Sequence, residues 1–125
     1  MIKRIGVVSV PVKDQDVAKE FYIEKLGMKL VDDTSMGPNM RWVAVAPEKD
    51  SPTILTLVTW FDSMPAGSLR GLVLNCDDIE ATAAELKKRG VKLNDDGIRD
   101  EPWGRFVLAE DPDGNGLIIQ QNKEM

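Results

Sequence analysis

The chain has 125 residues, of which 42% are hydrophobic and 30% charged, and its net charge at pH 7 is −5. A chain of this length forms one domain with its own core, and its acidic balance argues against nucleic-acid or anionic-membrane partners, which need a basic face. Histidine is absent, which excludes Ser-His and Cys-His nucleophile pairs and imidazole metal ligands. Cys76 is the single cysteine, so no internal disulfide is possible. With no long apolar stretch, the sequence predicts a cytoplasmic protein.

The first half of the chain predicts a strand, a helix and three further strands. A β-branched strand over 5–12 precedes Asp14, which is placed to cap a helix that Gly27 ends. The apolar face of this helix consists of Val17, Ala18, Phe21, Tyr22 and Leu26. Strands are predicted over 28–32, 40–46 and 53–60, with glycine and proline turns between them.

The second half repeats this order. A strand over 69–75 is followed by a helix that Asp77 caps, with Glu80 in capping-box spacing, and that Gly90 ends. Three more strands are predicted over 91–93, 105–108 and 117–121. The cap and the final glycine of the helix are equally far apart in both halves.

The repeat predicts an α+β domain over residues 1–125, built from two tandem βαβββ modules. The modules span about 4–61 and 69–122, and a linker over about 62–68 joins them. Each unit alone has too few strands to bury both sheet faces, so we expect the two to pair into one structure.

Three short motifs resemble the vicinal oxygen chelate superfamily, which includes glyoxalase I, extradiol dioxygenases and bleomycin-resistance proteins. They are Val12-Lys13-Asp14 with Phe21-Tyr22, then Leu26-Gly27-Met28, and finally Asp111-Pro112-Asp113-Gly114-Asn115. The resemblance covers nearly the whole chain. It implies that the paired modules curl into a cup of curved mixed sheet, usually within a homodimer. In the enzymes of the superfamily, the cup holds a divalent metal.

The positions that bind the metal in such enzymes carry poor ligands in this chain. The resemblance places them at Val7, at Leu55 or Thr56, at Gly71 or Arg70, and at Ile118. Hydrocarbon side chains offer no lone pair, and a neutral hydroxyl is a weak ligand. The sequence therefore predicts no metal and no cofactor.

Two other features have structural interpretations. Asp111 to Gly116 matches the opening of a calcium-binding EF-hand loop, but the twelfth position is Asn122 instead of glutamate, and the flanks are predicted strands. We therefore interpret Asp113-Gly114 as a hairpin turn. Cys76 has no histidine to deprotonate it, so we interpret it as a small buried or half-buried residue.

Aromatic, thioether and polar side chains in or beside the strands are the candidate ligand-binding residues. Tryptophan supplies a large contact area, methionine adapts to irregular shapes, and a polar side chain orients a ligand. The candidates are Trp103, Trp42, Trp60, Phe106, Met40, Ser9, Arg41 and Gln120.

Three functions remain open on this basis. The first is a metal-independent protein that sequesters or carries a hydrophobic or aromatic compound and has no catalytic residues. The second is a lyase or dioxygenase-like enzyme with a non-standard metal site. The third is a ligand-free oligomeric module. We expect a homodimer, and the sequence leaves open whether modules pair within one chain or between two.

Overall fold

Each half of the chain forms a mixed β-sheet covered on one face by a helix, in a computed structural model that describes residues 1–123. The strands are β1 Val7–Pro11, β2 Lys29–Ser35, β3 Arg41–Ala46, β4 Ile54–Val58, β5 Leu72–Asn75, β6 Lys92–Leu93, β7 Arg99–Glu101, β8 Gly104–Glu110 and β9 Gly116–Asn122. The helices are α1 Gln15–Glu20, which continues as a π-helical turn over Phe21–Lys25, and α2 Ile79–Lys88. No helix within residues 1–123 is both long and apolar enough to cross a membrane.

The two sheets share one topology. Sheet 1 has the order β1-β4-β3-β2, and sheet 2 has the order β5-β9-β8, with β6 and β7 both pairing with the outer edge of β8. The pairs β1–β4 and β5–β9 are parallel, and all the others are antiparallel. The predicted α+β fold with a repeated βαβββ order is thus confirmed.

Strand β7 is an addition that the sequence analysis missed. It consists of Arg99, Asp100 and Glu101, and three successive charged residues lack the apolar alternation that predicts a strand. Together, β6 and β7 occupy the position beside β8 that β2 occupies beside β3.

The helix ends agree with the sequence analysis except at one cap. The Asp14 side chain accepts hydrogen bonds from the backbone N–H groups of Asp16 and Val17, as an N-cap does. At α2 the N-cap is Asp78 and not Asp77, because it is the Asp78 carboxylate that accepts from the N–H of Ala81. The capping box predicted between Asp77 and Glu80 was therefore wrong by one residue.

The two faces of each sheet differ in what covers them. We call the face that packs on a helix the helix face and the other the open face. The helix faces carry Val8, Val10, Val43, Val45, Leu55 and Leu57 in sheet 1, and Leu72, Leu74, Val107, Ala109, Leu117 and Ile119 in sheet 2. Residues of both sets belong to one hydrophobic core that also includes Phe21, Tyr22, Ile79 and Leu86 from the helical segments.

A polar contact joins the two halves at one end of this core. The turn between β8 and β9, residues 111–115, inserts against the first half, with Asp111 and Asn115 buried. The Tyr22 hydroxyl and the Asn115 amide both donate to Asp111 Oδ2 at 2.8 Å. Asn115 Nδ2 also donates to the Pro11 carbonyl, and Asn115 Oδ1 accepts from the Leu69 N–H. The segment therefore is a hairpin turn whose Asp111 carboxylate is engaged within the protein.

The contact shifts the ionisation of Tyr22. Burial, and then the nearby Asp111 carboxylate, raise the pKa of Tyr22 far above its usual value near 10. The neutral phenol is the form that the folded state stabilises. This contribution to the free energy of unfolding is complete below about pH 10 and is lost as the pH rises toward the folded-state pKa.

We predict that the phenolate absorbance of the native protein shows no step near pH 10, because Tyr22 is the single tyrosine of the chain. The absorbance should rise only with unfolding, which circular dichroism follows in the same alkaline titration. Tyr22→Phe should lower the free energy of unfolding at pH 7 by about 1–3 kcal/mol, since it removes a hydrogen bond to a buried carboxylate. A native phenolate step near pH 10 would contradict the prediction.

Candidate functional site

The open face of sheet 1 combines small apolar and hydroxylated side chains with one carboxylate. Strand β2 contributes Asp32 beside Ala44 and Thr34 beside Trp42. The strand register places Ser9, Thr56 and Ala44 side by side across β1, β4 and β3. The Thr56 hydroxyl donates a hydrogen bond to the Ser9 hydroxyl at 3.4 Å. Trp42 lies on the same face two residues before Ala44, level with the end of β1. Val7, at the start of β1, is 46% exposed.

The open face of sheet 2 has a related pattern with more polar side chains. One row across β5, β9 and β8 consists of Val73, Ile118 and Leu108, and the next consists of Asn75, Gln120 and Phe106. Phe106 lies level with Asn75, the last residue of β5, just as Trp42 lies level with the last residue of β1. The two halves thus present one aromatic side chain each at equivalent positions of their open faces.

The structure brings four of the predicted ligand-binding residues onto the open faces: Ser9 and Trp42 on sheet 1, and Phe106 and Gln120 on sheet 2. Three others lie outside the regular strands. Trp103, 53% exposed, occupies the turn between β7 and β8, and Met40 precedes β3. Trp60, expected within a strand, lies beyond the end of β4, with its ring centroid 6.1 Å from that of Phe61.

Arg41 lies on the helix face, away from Trp42 and the other open-face residues. Its guanidinium donates to both carboxylate oxygens of Asp33 at 2.7 Å and to Asp16 of α1 at 2.8 Å. Lys19 of α1 also contacts Asp33, at 2.7 Å. Hydrogen bonds from Arg41, and then from Lys19, lower the pKa of Asp33 well below its usual range. Arg41 therefore ties α1 to the edge of sheet 1.

A cleft of about 480 Å³ lies between the two halves, and the sequence analysis did not predict it. It is lined by Val8 and Leu55 of sheet 1, by Leu74 and Ile119 of sheet 2, and by Leu86 of α2. Residues of both helix faces line this one cleft, so the helix faces of the two sheets adjoin each other there. Cys76 also lines the cleft and is half-buried, in keeping with its structural interpretation. Only the packing of two distant halves creates this space.

The comparison with known families agrees with this fold and these motifs. The family model of the Glyoxalase/Bleomycin resistance protein/Dioxygenase superfamily matches residues 4–119. The chain belongs to this superfamily.

Several members of the superfamily are similar over nearly the full length of the chain. TnmS3, an antibiotic binding protein from Streptomyces sp. CB03234, has 46% identity and a TM-score of 0.90, with 98% of each chain covered. A glyoxalase/bleomycin resistance protein from the same organism has 47% identity and a TM-score of 0.82, covering 94% of this chain and 100% of its own. Protein YetH of Bacillus subtilis (strain 168) is 39% identical over 97% of this chain and 100% of its own length.

The residues at the superfamily's metal positions do not fit a divalent cation. Val7 and Ile118 lie on the open faces but offer hydrocarbon, and Gly71 has no side chain. For the remaining position the structure selects Thr56, because Leu55 points to the helix face. A single neutral hydroxyl is no metal centre. Within residues 1–123, moreover, there is no group of three or more histidine, cysteine or acidic side chains placed to hold a metal ion.

We predict that Asp33→Asn lowers the free energy of unfolding at pH 7 by about 1 kcal/mol, since it weakens a bidentate pair with Arg41. The folded-state pKa of Asp33 is depressed, so this contribution is present above about pH 4 and fades as the pH falls below it. Urea denaturation at pH 7 and at successively lower pH values measures the difference. A difference that grows on acidification would contradict the assignment.

Proposed function

We propose that this protein is a metal-independent binding protein that sequesters or carries a hydrophobic or aromatic small molecule. The observation that carries the proposal is the pair Trp42 and Phe106, which occupy equivalent positions on the two open faces. Aromatic side chains bind flat or apolar molecules by large contact areas and by stacking. The 46% identity to TnmS3, an antibiotic binding protein, supports the same function.

We place the ligand on the open faces and not in the cleft. The aromatic candidates Trp42 and Phe106 lie on the open faces, whereas the cleft is lined largely by aliphatic side chains. The open faces also expose apolar side chains at the sheet edges, with Val7 at 46% and Val73 at 42% exposure.

We propose further that the binding cup forms between two copies of the chain. Within one chain the helix faces of both sheets share the core and the cleft, from which we infer that the open faces point away from each other and that Trp42 and Phe106 of one chain do not enclose one ligand. A homodimer that sets sheet 1 of one copy against sheet 2 of the other gives two cups, each with both aromatic side chains. The cup expected from the sequence thus becomes a composite of two protomers.

Trp42→Leu and Phe106→Leu should each weaken the binding of a polycyclic aromatic compound by about fivefold, because each removes a stacking surface worth about 1 kcal/mol. Equilibrium dialysis of naphthalene or anthracene derivatives measures the affinity. EDTA should leave it unchanged. Thr82→Leu, which narrows the cleft on the α2 side, is the matched control and should bind as the unmodified protein does.

Two results would overturn the binding proposal. The first result is that none of the aromatic compounds tested binds, which would contradict the proposed binding function. The second result is a stoichiometric divalent metal in untagged protein, found by elemental analysis, together with loss of ligand affinity in EDTA. That result would favour a metal-dependent enzyme over the proposed metal-independent binding protein.

The composite cup makes a separate prediction about mixed dimers. A dimer of one Trp42→Leu chain and one Phe106→Leu chain contains one cup with both substitutions and one cup with neither. The two variants can be co-expressed with different affinity tags so that the mixed dimer is purified through both. The mixed dimer should bind one ligand molecule with the affinity of the unmodified protein. A cup within one chain predicts no such recovery, and a monomer in analytical ultracentrifugation at micromolar concentration would also contradict the arrangement.

A further inference from the structure

Three amide side chains meet on the open face of sheet 2. Asn75 ends β5, and Gln120 and Asn122 lie two residues apart in β9, so that they point to the same side. Asn122 Oδ1 accepts from Gln120 Nε2 at 2.7 Å and from Asn75 Nδ2 at 3.1 Å. We call these three residues the amide triad.

The shared acceptor fixes which way each amide faces. Since Asn75 and Gln120 both donate toward Asn122, their own carbonyl oxygens, Asn75 Oδ1 and Gln120 Oε1, are left to accept. The Asn122 nitrogen is left to donate. No hydrogen bond within residues 1–123 engages these three atoms. The triad therefore presents one hydrogen-bond donor group and two acceptors to a molecule bound on the open face of sheet 2.

The triad adjoins the aromatic side chain of the same sheet. Asn75, Gln120 and Phe106 form one row across β5, β9 and β8. On its other side, Phe106 pairs with Arg99 of β7. The Arg99 guanidinium forms an ion pair with Asp96 at 3.3 Å.

On sheet 1, Thr34 is the partner of Trp42 and its hydroxyl donates to Asp32 Oδ1 at 2.6 Å, Ser9 lies further along the face, and Thr56 is buried. The two walls of the proposed cup therefore differ: sheet 1 carries hydroxyls and a carboxylate, and sheet 2 carries a cluster of neutral amides.

We propose that the amide triad determines ligand specificity, by selecting aromatic molecules that carry a neutral carbonyl or hydroxyl group beside the ring that lies on Phe106. This inference rests on the proposed function. The Asn122 nitrogen donates to a ligand carbonyl, and Asn75 Oδ1 or Gln120 Oε1 accepts from a ligand hydroxyl. Neutral amides recognise neutral oxygen groups without the desolvation cost of a buried charge.

Equilibrium dialysis with three matched probes tests this assignment. Acetylnaphthalene carries an acceptor, naphthol carries a donor, and methylnaphthalene carries neither. The unmodified protein should bind each of the first two about fivefold more tightly than methylnaphthalene, which is the effect of one net hydrogen bond.

The decisive variant is Asn122→Asp, which keeps an oxygen for Asn75 and Gln120 but removes the donor that faces the ligand. This variant should lose the preference for acetylnaphthalene over methylnaphthalene and keep the preference for naphthol. General destabilisation would not remove one preference and leave the other. Asn39→Asp is the matched control. Asn39 is exposed on the β2–β3 turn with φ of 64°, which aspartate tolerates, and the change in charge is the same.

Each outcome decides between the two proposals. Equal affinity for all three probes, or an Asn122→Asp variant with unaltered preferences, overturns the role of the triad and leaves the binding function standing. Binding of none of the probes overturns both. The same shift in Asn39→Asp as in Asn122→Asp assigns the effect to net charge and overturns the triad.

Discussion

The architecture depends on one buried carboxylate. Asp111 accepts from Tyr22 of the first half and from Asn115 of its own turn, and Asn115 in turn donates to the Pro11 carbonyl at the end of β1. A buried carboxylate without such partners costs far more than the hydrogen bonds themselves contribute. This requirement holds the β8–β9 turn against the first half. The helix faces of both sheets then share a core at this end of the molecule.

At the cleft, no buried carboxylate within residues 1–123 joins the two halves, and the polar contact near it is exposed: Arg89 Nη1 donates to the Glu24 and Lys25 carbonyls at 3.2 and 3.3 Å. There the loop between β3 and β4 supplies Pro47 and Thr53 to the wall of the cleft, whereas the β8–β9 turn is inserted between the halves at its own end. The internal repeat is therefore symmetric in topology and asymmetric in packing.

The open faces follow from the same constraint. Once the helix faces share a core, the residues of opposite parity form the open face of each sheet, and three of the positions that the superfamily resemblance assigns to metal ligands lie on this parity. Here the positions carry Val7, Thr56 and Ile118. These three side chains offer a divalent cation one neutral hydroxyl and no carboxylate, imidazole or thiolate.

Much of the fold was predictable from local pattern. The repeated helix limits, the strand order and the burial of Tyr22 follow from caps, glycines and apolar periodicity, which act within a few residues. Strand β7 was not predictable, because its three charged residues are held only by pairing with β8. Arg41 was misleading for a related reason. Its position next to Trp42 is clear in the sequence, but its partners Asp16 and Asp33 come from α1 and β2.

The sequence by itself determined the superfamily, the two βαβββ units and the absence of good donors at the metal positions, because these depend on residue type and on local spacing. Tertiary structure decided which residues share a face. It selected Thr56 over Leu55, paired Arg41 with Asp16 and Asp33, and brought Asn75, Gln120 and Asn122 together. The physical reason is the period of two along a strand: a change of one residue in register moves a side chain to the other face, and only pairing between strands fixes the register.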